Sequence, residues 1–169
     1  MKTFILLSAI PGCGKSTWAE EYKLTHDNVF IVSSDNLRRE IGGAIQNGDH
    51  EEEVWSRFKS DILKHRDEHK DVTVIADATN ISNELRKFYA LHSKGFDKKI
   101  LIVFKKTKEE TLRGNKLRGS DRIVPDYAME AMLKKWEDVS DEIKEMYDEV
   151  IEINKHFDAP HVLEEFHYL

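Results

Sequence analysis

The stretch Ala9-Ile10-Pro11-Gly12-Cys13-Gly14-Lys15-Ser16-Thr17 combines small residues, a lysine and two hydroxyls at a spacing that can hold an anion. It matches G-x-x-x-x-G-K-[ST], except that Ala9 occupies the place of the first glycine, which closes the turn and does not touch the anion. Glycines let successive backbone N–H groups converge on phosphate oxygens, and the N-terminus of the following helix adds partial positive charge. A Gly-rich turn between strand and helix needs no ligand by itself, but Gly-x-Gly-Lys-Ser-Thr in this context favours a nucleotide. Pro11, Gly12, Cys13, Gly14, Lys15, Ser16 and Thr17 are therefore the expected nucleotide-binding residues. Lys15 is expected to face solvent until the β- and γ-phosphates of ATP arrive, and the Ser16 hydroxyl is the expected Mg²⁺ ligand. Cys13, at a helix N-terminus, is expected to have a lowered thiol pKa and raised reactivity.

Three further groups belong with that loop if they end neighbouring strands. Ser33-Ser34-Asp35-Asn36-Leu37-Arg38 places Asp35 and Arg38 one helical turn apart, so a carboxylate and a guanidinium share a face. The carboxylate could take the proton of an attacking hydroxyl and the guanidinium could clamp an acceptor anion; capping of a helix by Asp35 or Ser34 is the plainer reading. Asp77-Ala78-Thr79-Asn80 closes another apolar run, and Asp77, Thr79 and Asn80 are assigned to the substrate side, with Asn80 and Ser82 also suited to cap the next helix. Arg113, Lys116, Arg118 and Arg122 cluster around Gly114 and Gly119, and the only strongly apolar members of Thr107–Arg118 are Leu112 and Leu117. Such a segment, about 107–125, predicts a solvent-facing lid that delivers cations to the charge of phosphoryl transfer, with Arg118 as a catalytic candidate. Val124-Pro125 reads as its hinge, and a long amphipathic helix carrying Met129, Met132, Trp136, Ile143 and Tyr147 as its anchor.

These residues need a scaffold that brings strand ends together. Phe4–Leu7, Val29–Val32, Val72–Ile75 and Ile100–Phe104 are short, nearly continuous apolar runs, as in strands covered on both faces; Val150–Ile153 is a weaker fifth. Between them, three-to-four spacing predicts helices, one with Val54, Trp55, Phe58 and Ile62 inward and another with Leu85, Phe88, Tyr89 and His92 inward. Strand–helix alternation predicts an α/β fold with a mostly parallel five-stranded sheet, helices on its flanks and a helical lid, as a single domain over 1–169. Gly42–His50 reads as a surface loop; Phe157–Leu169 predicts no element.

Composition removes several classes of function. The chain has 169 residues, 40% hydrophobic and 34% charged, with 3 Pro and 8 Gly, which excludes low-complexity and collagen-like readings. Its formal net charge of −6 excludes a polycation that binds nucleic acid by bulk charge, so a polyanion would need a local pocket. The apolar run Phe4–Ile10 is far too short to span a bilayer, and a lone cysteine cannot form an internal disulfide, so no membrane partner and a cytoplasmic location are expected. His65 and His69 have the spacing of metal ligands, but no third ligand is evident, and Trp18, Trp55 and Trp136 read as core.

With these pieces in order over residues 3 to about 136, the chain resembles the P-loop kinase family of bacterial and phage 5′-hydroxyl polynucleotide kinases and their small-kinase relatives. The resemblance rests on Gly12-Cys13-Gly14-Lys15-Ser16-Thr17-Trp18-Ala19, Ser34-Asp35-Asn36-Leu37-Arg38, Asp77-Ala78-Thr79-Asn80, Asn115-Lys116-Leu117-Arg118 and Arg122-Ile123-Val124-Pro125. It implies Asp35 as general base, Arg38 on the phosphate 3′ to the acceptor nucleoside, Lys15 and Arg118 on the transferring phosphate, and Arg122 near the nucleotide. It implies ATP and Mg²⁺ as donor and cofactor, a nucleic-acid 5′ end or a small-molecule alcohol as acceptor, and separate ligase or phosphatase proteins in a repair role. One departure stands out: family members often carry Arg immediately before the lid Asn, where this chain has Gly114, with Arg113 one place earlier.

Overall fold

The computed structural model describes residues 1–153, so Phe157–Leu169 lies outside the described residues. The apolar runs form β1 (Lys2–Ala9), β2 (Val29–Ser33), β3 (Val72–Asp77), β4 (Lys98–Phe104) and β5 (Glu149–Ile153). All pairings are parallel, in the order β2-β3-β1-β4-β5. Parallel strands need crossovers, and the helices that supply them cover both faces. Side chains alternate across β1: Phe4 and Leu6 join Val54, Phe58 and Ile62 in one core, while Ile5 and Leu7 join Trp18, Tyr22 and Met129 in the other. Both layers exclude water fully at Phe4, Ile5, Leu6 and Leu7, which is why β1 reads as an unbroken apolar run.

The helices are α1 (Lys15–Thr25), α2 (Ser34–Gly42), α3 (Glu51–Glu68), α4 (Asn83–His92), α5 (Lys108–Lys116), α6 (Asp126–Lys135) and α7 (Asp141–Met146). Among the described residues none is long and apolar enough to cross a membrane. Ser33 caps α2 by accepting from Asn36 N at 3.2 Å, and Ser82 caps α4, so neither Asp35 nor Asn80 is spent as a cap.

Two helices depart from the sequence expectation. The expected long helix after Pro125 is broken into α6 and α7. Arg86, fully buried, donates from Nη1 to Glu137 O at 2.7 Å, Asn83 Nδ2 donates to Asp138 O at 3.0 Å, and Ser140 then caps α7. These bonds to α4 hold Glu137–Ser140 in a non-helical path that local periodicity does not encode. The same contacts rotate α4: Arg86, Tyr89 and Ala90 face inward, while Leu85 and Phe88, expected inside, are 42% and 41% exposed.

Candidate active site

The loop after β1 lies at the carboxyl ends of the strands, flanked by the ends of β3 and β4, where open parallel sheets bind ligands. It passes through left-handed backbone at Gly12 (φ 91°) and Gly14 (φ 85°) before α1 begins at Lys15. Contrary to the expectation of a solvent-facing side chain, Lys15 is only 7% exposed, because its ammonium rests 3.4 Å from Asp77 Oδ1. Ser16 Oγ donates to Asp77 Oδ2 at 2.7 Å. Asp77, assigned to the substrate side from sequence, thus lies against the phosphate loop, as the last residue of the strand adjoining β1.

The hydroxyl and carboxylate fit a hard divalent cation. Both offer oxygen ligands, and Asp77 Oδ1 is buried without a hydrogen-bond donor, so the pair Ser16 and Asp77 is suited to Mg²⁺.

On the other side of Lys15, Asp35 joins two groups of cations. Its Oδ1 accepts from Arg38 Nη1 at 2.9 Å, and its Oδ2 accepts from Arg118 Nη2 at 3.3 Å, with Arg122 Nη2 at 3.7 Å. Arg122 Nη2 also donates to Ser16 Oγ at 3.0 Å, so Arg122 bridges the Ser16 hydroxyl and the Asp35 carboxylate. Burial, reinforced by Arg122, lowers the Arg118 pKa against the opposing pull of Asp35 and Asp77. A guanidinium so placed stays charged but is poorly solvated, a state that favours pairing with an arriving anion.

Two residues beside Asp35 were not among the expected site residues: Glu51, and Trp55, which reads as core and does pack against it. Glu51, first residue of α3, takes Arg38 Nε at 3.0 and 3.1 Å and Nη2 at 2.8 Å; Trp55, one turn later, has the same guanidinium 5.5 Å from its ring centroid. Burial disfavours the Arg38 charge, but hydrogen bonds and charge from Glu51 and Asp35 outweigh it and raise the pKa. The available signal was the four-residue spacing of Glu51 and Trp55, which puts both on one helix face. With Ile45, Thr79 and Met132 these residues line a pocket of about 320 Å³ beside Asp35. Asn80 does not join it: it is 2% exposed, and its amide donates to Leu7 O at 2.8 Å, which ties the end of β3 to β1.

The nucleotide cleft, about 540 Å³, lies between the phosphate loop and α5, and is lined by Lys106, Glu110, Arg113, Arg118 and Arg122. The lid helix is not merely solvent-facing. Thr111 and Asn115 are buried, Asn115 holds Val124 through both N–H and C=O, and Gly114 lies directly on Gly12. A Cβ on Gly114 would stand 2.1 Å from Gly12 O, and one on Gly12 would stand 2.5 Å from Thr111 O. Gly114 in place of the usual arginine therefore permits backbone contact between lid and loop. Gly114→Ala is expected to cost about 1–3 kcal/mol by overpacking and to weaken ATP binding as α5 is displaced. Unchanged thermal unfolding and ATP affinity would refute this contact.

The expected reactive thiol is also corrected. Cys13 is 2% exposed and its Sγ packs 3.6 Å from Thr111 Oγ1; burial raises its pKa although Thr111, Lys106 and Lys15 pull the other way. Desolvation inside the loop–lid contact outweighs the helix N-terminus.

Comparison with known proteins agrees with this geometry. A family profile described as an AAA domain matches residues 5–143. No curated protein matches the chain. Among solved structures, the Pnkp1/Rnl/Hen1 complex contains a chain 25% identical, with TM-score 0.57, over 70% of this chain and 40% of that one. A fungal RNA kinase is 16% identical with TM-score 0.68, over 99% of this chain and 44% of that one. A gluconokinase from Sinorhizobium meliloti is 13% identical with TM-score 0.60, over 96% and 88%. The chain thus spans less than half the length of the first two.

Proposed function

This chain belongs to the AAA domain family and carries a P-loop kinase domain, and from that premise we propose that it transfers the γ-phosphoryl group of ATP to the 5′-hydroxyl of a polynucleotide, DNA or RNA. The observation that carries the proposal is Asp35, held between Arg38 at the acceptor pocket and Arg118 at the nucleotide cleft. The loop backbone and Lys15 bind the β- and γ-phosphates. Ser16 and Asp77 would hold Mg²⁺, which would supply charge neutralisation on those phosphates. Asp35 accepts the proton of the acceptor hydroxyl while the new O–P bond forms and the bond between the γ-phosphorus and its bridging oxygen breaks, so that ADP departs. Arg118 leaves Asp35 for the equatorial oxygens of the phosphoryl group, where charge is spread in the transition state.

Arg38 and Trp55 suit a nucleotide acceptor, one through a 3′ phosphate and the other through an aromatic wall. Likeness to a chain of the Pnkp1/Rnl/Hen1 complex, an RNA repair complex, supports a nucleic-acid acceptor, and a repair role beside separate ligase or phosphatase proteins fits it. Glu51 favours a second reading. Its carboxylate already occupies Arg38, which would suit a small-molecule alcohol that brings no phosphate to Arg38, drawn from the sugars, nucleosides, antibiotics or nucleotide-sugars.

A rate comparison of nucleoside, nucleoside 3′-monophosphate, short oligonucleotide and sugar separates the two. The 3′-phosphate is expected to raise kcat/KM by roughly 10- to 100-fold, as for a charge-assisted contact, and Arg38→Ala to erase most of that gain. Equal rates for nucleoside and 3′-nucleotide would sink the polynucleotide acceptor and promote the small molecule.

A further inference from the structure

Far from the phosphate loop, α3 ends in His65-Arg66-Asp67-Glu68-His69. The third ligand that spacing alone did not reveal is Glu68: one ligand atom each from His65, Glu68 and His69 lies within 4.8 Å of the others. Both imidazoles lie against Phe30, near the start of β2, with centroids 4.4 and 4.8 Å away and interplanar angles of 14° and 21°. The aromatic ring backs both side chains and restricts their rotation. His65 Nδ1 is enclosed and has no hydrogen-bond partner, so the fold itself makes no use of that nitrogen. Glu68 is the last helical residue, where the negative end of the helix dipole also favours a cation. Its competing partner is Lys64 at 3.9 Å, an exposed pair of little strength.

We propose that His65, Glu68 and His69 form a binding site for a borderline transition-metal ion, Zn²⁺ or a close analogue, separate from the Mg²⁺ chemistry of phosphoryl transfer. Two imidazoles and one carboxylate select this class, whereas Mg²⁺ and Ca²⁺ prefer oxygen ligands throughout. A tetrahedral Zn²⁺ ion spaces its ligand atoms about 3.3 Å apart, so the three close by up to about 1.5 Å on binding, chiefly through a rotamer change of the exposed Glu68. Three protein ligands leave one position open to water or an exogenous ligand. The ion ties the last turn of α3 to the residue that leaves it. The site lies at the opposite end of the 18-residue α3 from Glu51 at the acceptor pocket, about 21–26 Å along the helix axis, so occupancy is felt in stability and not in turnover.

The test is Zn²⁺ titration of the full chain by calorimetry in Mg²⁺-containing, nucleotide-free buffer, paired with thermal unfolding and a kinase assay. Glu68→Gln and His69→Gln alter the ligand set with less disturbance of the Phe30 packing than a change at His65. The wild type is expected to take up one Zn²⁺ at this site and to unfold at a higher temperature with it. Each variant is expected to bind that ion at least tenfold more weakly and to lose the thermal shift, with ATP turnover unchanged. Wild-type affinity in either variant, or no uptake by the wild type at about 100 µM free Zn²⁺, overturns the site.

Discussion

Lys15→Met is expected to lose phosphoryl transfer by on the order of 10³-fold or more, because the γ-phosphate loses the cation that the loop itself supplies. Methionine keeps the length of the buried stem, so the packing of α1 survives. The charge balance does not: Lys15 and Asp77 are 8% and 5% exposed in side chain and face each other at 3.4 Å. Removing the ammonium leaves Asp77 with the Ser16 hydroxyl as its hydrogen-bond donor, a loss of about 1–3 kcal/mol in thermal or denaturant unfolding. The double variant Lys15→Met with Asp77→Asn removes both charges and should regain stability without regaining activity. That contrast separates a catalytic cation from a structural one. A folded Lys15→Met protein with wild-type turnover would remove the phosphoryl-transfer reading altogether.

Asp35→Asn is expected to lower kcat by about 10²- to 10⁴-fold, the usual contribution of a general base, with little change in ATP affinity. The amide is the same size and keeps one acceptor oxygen. It cannot take the hydroxyl proton, and its NH₂ must face either Arg38 or Arg118, both of which now donate to Asp35. One of those pairs is therefore lost. Because Arg118 and Arg122 approach from the lid, lid ordering in the nucleotide-free protein should weaken as well. A collapse of ATP binding instead of kcat would assign Asp35 to the metal site or the fold.

The parallel sheet was legible because its strands are buried on both faces, which forces apolar runs at Phe4–Leu7 and Ile100–Phe104 whatever their partners. The phosphate loop was legible for a related reason: its demands are met within nine consecutive residues, by backbone freedom at Gly12 and Gly14 and by Lys15 and Ser16 on the helix that follows. Asp35 and Arg38 were legible as a pair because one helical turn brings them together without help from the rest of the chain.

What periodicity could not supply were contacts between segments remote in sequence. Asp77 was placed on the acceptor side, yet the adjacency of β3 to β1 puts its carboxylate against Ser16, sixty-one positions away. Glu51 reaches Arg38 because α3 packs beside α2, and Gly114 is a glycine because α5 lies on Gly12. The reactivity of Cys13 was misjudged for the same reason: a helix N-terminus is a local property that lowers a thiol pKa, whereas the burial by α5 that raises it comes from another part of the chain. Sequence by itself determined the fold class, the anion-binding loop and the neighbouring Asp35–Arg38 pair, since each follows from short-range spacing and alternation. Tertiary structure alone decided which charges of remote segments meet, because their pairing and desolvation depend on distances that only strand order and helix packing set.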